Sequence, residues 1–144
     1  MSAAHGNGAG DGSVWSTGTG SAWPNRWAFA ALMEDGSVVT WSNFGGIQGC
    51  GGDSSSVAGQ LTGDVVDIFS TQGAFAALKA DGSVVTWGTP SRGGDSSAVA
   101  DDLSGGVTAI YSNLGAFAAL KTDGSVVTWG SADFGGARVP WPMT

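Results

Sequence analysis

One stretch of sequence decides how this chain folds: Ala74 to Trp87 reads AFAALKADGSVVTW. Two near-copies of it occur, since Ala28 to Trp41 reads AFAALMEDGSVVTW and Ala116 to Trp129 reads AFAALKTDGSVVTW. The copies begin 46 residues before and 42 residues after the middle one. Self-similarity at such a period is typical of proteins built from stacked structural repeats. We therefore expect repeated units that start near residues 28, 74 and 116.

Each copy contains an Asp-Gly pair between two runs of strand-forming residues. Asp-Gly flanked in this way is a strong hairpin signal, because a two-residue type I′ turn needs positive φ at both central positions. In the middle copy this predicts a turn at Asp81-Gly82 with Ala80 opposite Ser83. The same register pairs Lys79 with Val84, Leu78 with Val85, Ala77 with Thr86 and Ala76 with Trp87.

Both faces of this hairpin are apolar in the predicted register, with Trp87 on the face of Leu78 and Phe75 on the opposite face. A sheet that is apolar on both faces is typical of one packed between two others. Further strands are predicted at Val65–Ser70 and Val107–Ser112, and the Gly-Gly-Asp-Ser-Ser stretches are predicted to be loops. The segments Val57 to Leu61 and Val99 to Leu103 fit either an outer strand or a short helical turn.

Composition supports an all-β domain and excludes several classes of function. The 144 residues suit one domain, and 26 glycines with only 12% charged residues favour short strands and tight turns over a helical bundle. The net charge is −7, whereas nucleic-acid-binding domains carry basic patches, so we expect no binding to DNA or RNA. No apolar run is long enough to span a membrane. The N-terminal residues lack the features of a signal or transit peptide, which leaves the compartment open.

The repeat unit Gly-Ala-Phe-Ala-Ala-Leu-Lys-x-Asp-Gly-Ser-Val-Val-Thr-Trp-Gly resembles that of the regulator of chromosome condensation family. That repeat has a similar alanine-leucine strand, an Asp-Gly turn and a strand ending in Trp-Gly. The resemblance covers roughly Trp23 to Gly136, and it implies an all-β fold of β-propeller blades. The sequence departs from the family pattern at Ala74-Phe75, where family repeats often carry His followed by Thr or Ser. It also has Gly-Gly-Asp in place of the usual Gly-Gln-Leu-Gly.

The predicted domain organisation follows from the repeats. Residues 1–10 are expected to be a flexible glycine-rich leader, residues 11–137 a single β-repeat domain that begins with a partial unit at 11–27, and residues 138–144 a tail or cap. Propellers close with four to eight blades. About three repeats of 42–46 residues therefore predict an incomplete propeller, or one completed by oligomerisation. An open stack of repeats would need capped ends.

The sequence offers few residues for catalysis or metal binding. His5 is the only histidine and Cys50 the only cysteine, which argues against a Ser-His-Asp or Cys-His arrangement and a His- or Cys-rich metal site. The acids of the Asp-Gly pairs are explained by turn formation. Asp53 and Asp95 lack the dense acidic spacing of a calcium-binding loop. We therefore predict a protein that is not an enzyme and has no cofactor or metal.

Seven tryptophans are the remaining unusual feature. Trp41, Trp87 and Trp129 occupy one repeat position and are predicted to lie in the core. The other four are off the pattern, and the insertion Ser42 to Cys50 occurs in one copy only. The candidate partner-binding residues are accordingly Trp23, Trp27, Phe44, Ile47 and Trp141.

The predicted function is that of a protein interaction or scaffold module, such as a small accessory subunit of a larger assembly. The partner would be either a second copy of the chain or a larger complex, because unpaired sheet faces favour association. A carbohydrate-binding module that uses the off-pattern tryptophans is an alternative, since tryptophan faces stack on sugars. Exchange of guanine nucleotides, implied only by the family resemblance, is a weaker one.

Overall fold

The computed structural model describes the backbone of residues 15–16, 21–24, 28–42 and 53–136, and the side chains of residues 28–41 and 53–136. These residues form three antiparallel sheets, which we call blades. Blade 1 contains β1 (Trp15–Ser16), β2 (Ser21–Pro24), β3 (Ala28–Leu32) and β4 (Val38–Ser42). Blade 2 contains β5 (Val65–Ser70), β6 (Ala74–Lys79) and β7 (Val84–Gly88). Blade 3 contains β8 (Val107–Ser112), β9 (Ala116–Lys121) and β10 (Val126–Gly130).

The all-β prediction is confirmed, and the strands expected at Val65–Ser70 and Val107–Ser112 have those bounds. The two segments that fitted either a strand or a helical turn are helical. The first overlaps the 3₁₀ helix Ser55–Gln60, and the second begins at the end of the 3₁₀ helix Ser97–Val99 and continues as turns, with the amide of Leu103 donating to the carbonyl of Val99 at 3.1 Å. Two further 3₁₀ helices lie at Pro90–Arg92 and Ala132–Phe134. None of the helices in the described ranges is long and apolar enough to cross a membrane.

The helical segments join one blade to the next. Leu61 and Leu103 are buried at the ends of the two segments. Their carbonyl oxygens accept hydrogen bonds from the backbone amides of Val38 and Val84, each at 2.9 Å. An outer strand would need a ladder of such bonds, whereas a helical turn satisfies its own backbone and lets one leucine side chain enter the core. Each linker therefore packs against the hairpin that it follows and contributes one buried leucine to the core.

The predicted hairpin register is wrong by one residue. In blade 2, Phe75 pairs with Trp87 and Leu78 with Val84, and blades 1 and 3 repeat this arrangement. The loop has three residues rather than two. The amide of Gly82 donates to the carbonyl of Lys79 and the amide of Lys79 donates to the carbonyl of Ser83, both at 2.9 Å. Only Gly82 in this loop has positive φ, at 84°, as expected for a type I turn followed by a bulge.

The aspartate of each turn explains why the three-residue loop forms. The carboxylate of Asp81 accepts hydrogen bonds from the amide of Ser83 at 2.9 Å and from its hydroxyl at 2.6 Å. These bonds satisfy the polar groups of the turn with Asp81 at negative φ. A register shift of one residue moves side chains to the opposite face of a sheet. As a result, Trp87 lies beside Phe75 and not beside Leu78.

The corrected register gives each blade two different apolar faces. The Phe–Trp face of blade 2 carries Phe75, Ala77, Val85 and Trp87, and its Ala–Leu face carries Ala74, Ala76, Leu78 and Val84. Equivalent residues in the other blades define the same two faces there. The Phe–Trp face of blade 2 packs against the Ala–Leu face of blade 1, and the Phe–Trp face of blade 3 packs against the Ala–Leu face of blade 2. The blades therefore stack in one direction, with unlike faces in contact.

Backbone contacts fix the spacing between blades at the hairpin turns. The amide of Val65 donates to the carbonyl of Gly36, and the amide of Val107 donates to that of Gly82, both at 3.0 Å. Each bond joins the turn of one blade to the first long strand of the next. The residue before that strand is in the left-handed region in both cases: Gly106 has φ 77° and Asp64 has φ 68°.

Asp64 is expected to destabilise the fold relative to glycine, because a non-glycine residue in the left-handed region costs about 1 kcal/mol. We expect Asp64→Gly to raise the free energy of unfolding by about 0.5 kcal/mol, since the added freedom of the unfolded chain offsets part of the gain. The reciprocal change Gly106→Asp serves as the matched control and is expected to lower it by about 0.5 kcal/mol, for the same two reasons with opposite sign. Urea unfolding measures both. A loss of stability in Asp64→Gly would show that the aspartate side chain has a stabilising role.

Candidate functional site

The two ends of the stack expose the kinds of face that the middle of the stack buries. Blade 1 has no blade against its Phe–Trp face, and blade 3 has none against its Ala–Leu face, within the described ranges. Because the three repeats are nearly identical in sequence, equivalent residues can be compared directly. Where equivalent residues differ in exposure, the cause is what packs against each blade.

The open Phe–Trp face of blade 1 is an exposed apolar surface. Trp41 is 43% exposed, whereas the equivalent Trp87 and Trp129 are 2% and 3% exposed. Val39 is 50% exposed, and Phe29 stacks on Trp41 with ring centroids 5.3 Å apart. The same Phe–Trp stacking occurs in the other two blades, at 5.4 and 5.3 Å. The aromatic pair is thus preorganised by its own hairpin, whether or not another blade covers it.

The prediction that all three repeat tryptophans lie in the core is therefore wrong for Trp41. Trp87 and Trp129 are buried because each faces a preceding blade. Trp41 occupies the same strand position with no described blade in front of it. The strand position sets the orientation of this side chain within the sheet. Burial requires, in addition, a blade packed on the face from which the side chain projects.

A single substitution in the repeat extends this open face. The position that is Lys79 in blade 2 and Lys121 in blade 3 is Met33 in blade 1, and Met33 is exposed. In the other blades the ammonium group donates to a carbonyl of the preceding linker, from Lys79 to Gln60 at 2.8 Å and from Lys121 to Asp102 at 2.5 Å. Methionine cannot form that bond, and its flexible thioether suits an adaptable apolar contact.

The open Ala–Leu face of blade 3 is the opposite end of the stack. Ala118 and Leu120 are only partly buried there, whereas Ala76 and Leu78 are buried in blade 2. Tyr111 is 61% exposed, whereas its equivalent in blade 2, Phe69, is 4% exposed. Tyrosine offers an apolar ring and a polar tip, a combination common at interfaces.

Blade 3 also has a hollow at the position where blade 2 receives an aromatic ring. In blade 2, Gly93 approaches Phe117 so closely that an added Cβ would lie 2.5 Å from the ring. The indole nitrogen of Trp129 donates to the carbonyl of Gly93 at 3.1 Å in the same contact. The equivalent Gly135 of blade 3 has open space around its Cβ position. A hollow of about 160 Å³ lies beside it, lined by residues that include Tyr111, Ala118 and Phe134.

The turn aspartates are structural and do not form a paired-carboxylate site. Asp35, Asp81 and Asp123 each accept hydrogen bonds from the serine two residues later. In each case the serine hydroxyl, and after it the serine amide, holds the aspartate pKa below its ordinary value of 3.8. This confirms that turn chemistry explains these acids.

Acid is expected to weaken the fold through these turns. A carboxyl group whose pKa is lower in the folded chain contributes stability above its unfolded pKa, and that contribution is lost as the pH falls below about 3.8. We expect a variant with Asp35, Asp81 and Asp123 all changed to asparagine to lose less stability than the unchanged chain between pH 7 and pH 3. Urea unfolding at both pH values measures this. Equal losses in the two proteins would contradict the assignment.

Asp53 and Asp95 have the same kind of role at the start of the linkers. Their carboxylates accept hydrogen bonds from the amides of Ser55 and Ser97, both at 2.9 Å, and their pKa values are lowered by these serines. Across the parts of the chain that the structure describes, no three His, Cys, Asp or Glu side chains form a group that could hold a metal ion.

A polar cleft of about 580 Å³ lies between the two linkers along β7. Several of its polar groups are already hydrogen-bonded: the hydroxyls of Thr86 and Ser96 are 2.9 Å apart, and the Lys79 ammonium donates to the backbone carbonyl of Gln60 at 2.8 Å. We therefore interpret the cleft as a gap between the two packed linkers, and the end faces remain the candidate site.

The predicted partner-binding residues stay a prediction, because their side chains lie outside the described part of the chain. Trp27, Phe44, Ile47 and Trp141 lie outside the described residues. For Trp23 the backbone is described, within β2 and opposite Ala30, but the side chain is not. The structure instead points to Met33, Val39, Trp41 and Tyr111. The replacement of lysine by methionine and of phenylalanine by tyrosine in the end copies was the sequence signal for two of them.

Comparison with known proteins supports the propeller-blade fold. No protein-family model matches the sequence, and no curated protein matches it. Among solved structures, Prp20p from Saccharomyces cerevisiae, described with its binding to Gsp1p and histones, is similar with a TM-score of 0.53 and 19% identity. The match covers 76% of this chain and 30% of Prp20p. Yeast RCC1 (Prp20) bound to Kap60 gives the same TM-score and identity, with 76% and 29% covered.

A weaker likeness is found to human WBSCR16, with a TM-score of 0.45, 20% identity, and coverage of 72% of this chain and 32% of that one. The likeness to Prp20 establishes the fold: the three sheets are blades of the RCC1-like β-propeller type. This chain spans less than a third of the length of the propellers that it matches.

Proposed function

We propose that this chain is a protein-binding module that acts through the two end faces of its blade stack, as a scaffold or small accessory subunit of an assembly. The observation that supports this most directly is the contrast between equivalent residues. Trp41, Val39 and Tyr111 are exposed at positions whose equivalents in neighbouring blades are buried. A contiguous apolar patch that is exposed to solvent marks an interaction site.

The mode of action that these faces suit is binding rather than catalysis. Tryptophan and tyrosine are enriched among the few residues that carry most of the binding energy of protein interfaces. Both end faces carry such a residue, Trp41 beside Phe29 at one end and Tyr111 at the other. Prp20p, whose blades this fold shares, is described as binding Gsp1p and histones. For this chain, which carries only part of such a propeller, nucleotide exchange rests on analogy alone.

The test compares two valine variants that differ mainly in location. Val39 lies on the open face of blade 1, and Val66 lies in the edge strand of blade 2, where it is 53% exposed. Tagged chains with Val39→Asp or Val66→Asp are used to retain proteins from an extract of the native source, with the unchanged chain alongside. We expect Val66→Asp to retain the same protein as the unchanged chain and Val39→Asp to lose it. Identical retention by all three chains would contradict the proposal.

Sugar binding remains a prediction based on tryptophans whose side chains the structure does not describe, namely Trp15, Trp23, Trp27 and Trp141. Unchanged tryptophan fluorescence across a panel of sugars would remove it.

A further inference from the structure

We propose that the partner of the end faces is a second copy of this chain, with the Phe–Trp face of blade 1 in one copy packed on the Ala–Leu face of blade 3 in the other. This inference rests on the proposed function, because it names the occupant of the same faces. The two internal blade contacts show what covers each kind of face. A Phe–Trp face is covered by an Ala–Leu face in both of them. Among the residues that the structure describes, one face of each kind has no blade packed on it.

The open faces carry the aromatic ring and the glycine that meet in the internal contact. Phe117 of blade 3 packs on Gly93 of blade 2, and Phe29 is the equivalent of Phe117. Gly135 of blade 3 is the equivalent of Gly93, and the hollow beside Gly135 corresponds to the space that the Phe117 ring fills beside Gly93. In the proposed contact, Phe29 of one copy enters this hollow in the other.

The polar part of the internal contact can be reproduced as well. Trp129 donates through its indole nitrogen to the Gly93 carbonyl. Trp41 is the equivalent donor in blade 1, and Gly135 carries the equivalent carbonyl in blade 3. Trp41 of one copy and Gly135 of the other would therefore form the hydrogen bond that Trp129 and Gly93 form within the chain.

Turn geometry at the end of blade 3 also leaves room for another blade. An added Cβ at Gly82 would lie 2.7 Å from the amide nitrogen of Gly106 in the following blade. At the equivalent Gly124, nothing among the described residues lies within 4 Å. The close approach of the next blade is thus absent only at the last turn.

Two copies would form a closed set rather than an endless stack. Three sheets in each of two copies make six, which lies within the four to eight blades of known propellers. A contact between unlike faces closes into a ring when the rotation per unit permits, and each copy then contributes one face to each of two equal contacts. We expect a particle of about twice the 14.2 kDa of the chain.

Charge sets the conditions under which the pair forms. Each copy carries a net charge of −7, so two copies repel each other, and this repulsion is strongest at low salt. The contact itself is apolar apart from one hydrogen bond. We therefore expect self-association to strengthen as sodium chloride is raised from 10 to 300 mM, opposite to the behaviour of a contact made by ion pairs.

The experiment measures particle mass by sedimentation velocity in reducing buffer, which prevents a disulfide through Cys50. Val39→Asp damages the face of blade 1, and Tyr111→Asp damages the face of blade 3. Each variant, tested separately, is expected to associate at least about tenfold more weakly, because a charged carboxylate replaces an apolar side chain or ring in the contact. Val66→Asp, the matched control, is expected to behave like the unchanged chain. Val39→Lys repeats the first test with the opposite charge.

Mixing the two damaged variants tests the direction of the contact. Val39→Asp retains an intact blade 3 face and Tyr111→Asp an intact blade 1 face, so an equimolar mixture is expected to recover association through one contact per pair. If Val39→Asp weakens association and Tyr111→Asp does not, blade 1 faces pair with each other and the proposal is overturned. Circular dichroism spectra that match the Val66→Asp control establish that both variants fold.

Two further outcomes separate this inference from the proposed function. A chain that stays at 14.2 kDa, but retains a different protein through a contact sensitive to Val39→Asp, would overturn self-association and leave the protein-binding function in place. A chain whose mass and whose retained proteins are both insensitive to Val39→Asp and Tyr111→Asp would overturn both.

Discussion

Replacing Trp87 with alanine is expected to lower the free energy of unfolding by about 3–5 kcal/mol, the range for loss of a buried aromatic side chain. Trp87 is buried against blade 1, stacks on Phe75 and belongs to the core cluster that joins the two blades. Removing it leaves a cavity in a contact that includes Ala28, Ala30 and Ala77, whose side chains have no rotamers with which to fill it. A loss of this size exceeds half the total stability of many small domains.

Trp41→Ala is the matched control, because it removes the same residue from the same repeat position. Trp41 is partly exposed, so its loss is expected to lower the free energy of unfolding by about 1 kcal/mol, mainly through the lost stacking on Phe29. Urea unfolding followed by circular dichroism measures both variants. A low protein concentration limits the contribution of association between copies. Equal losses in the two variants would mean that blade 1 is covered as fully as blade 2.

Gly82→Ala is expected to produce the second large loss, of about 2–4 kcal/mol, from two separate causes. Gly82 has a φ of 84°, which alanine adopts at a cost of about 1 kcal/mol. Its added Cβ would also lie 2.7 Å from the amide nitrogen of Gly106 and 3.2 Å from that of Val107. Because both neighbours are backbone, blade 3 would have to shift away from blade 2.

Gly124→Ala isolates the first cause. Gly124 has a φ of 88° in the equivalent turn, but the described structure has no atom within 4 Å of its Cβ position. We expect this variant to lose only about 1 kcal/mol. Thermal unfolding of both variants gives the difference, which reports the contact between blades 2 and 3. Losses of equal size would show that the backbone conformation, and not blade packing, makes glycine necessary here.

The sequence predicted the strands of this protein well because their signals are local. The β5 and β8 strands have the predicted bounds, since Val65–Ser70 and Val107–Ser112 are short β-branched and aromatic runs between turn residues. The hairpin register was predicted wrongly because Asp-Gly fits two loop lengths. The choice between them depends on the side-chain bonds of Asp81 to Ser83, which the residue pattern does not reveal.

The candidate site was harder to predict than the fold. A repeat position has one sequence, but its burial depends on whether another blade lies beside it. Trp41 and Trp87 stand in nearly identical stretches but differ in exposure, because blade 1 packs on the face of Trp87 and no described blade packs on the face of Trp41. Met33 and Tyr111 did carry a signal, since each departs from its repeat equivalents. The off-pattern tryptophans and the insertion are the more conspicuous features of the sequence, and they lie outside the described side chains.

The central claim is that another chain covers the open face of blade 1, and hydroxyl-radical footprinting read by mass spectrometry tests it most directly. The oxidation rates of Trp41, Trp87 and Trp129 are compared in the unchanged chain and in Val39→Asp, at a concentration where the unchanged chain associates. We predict that Trp87 and Trp129 react slowly in both proteins, and that Trp41 reacts slowly in the unchanged chain and several times faster in the variant. Fast oxidation of Trp41 at the same rate in both proteins would contradict the claim.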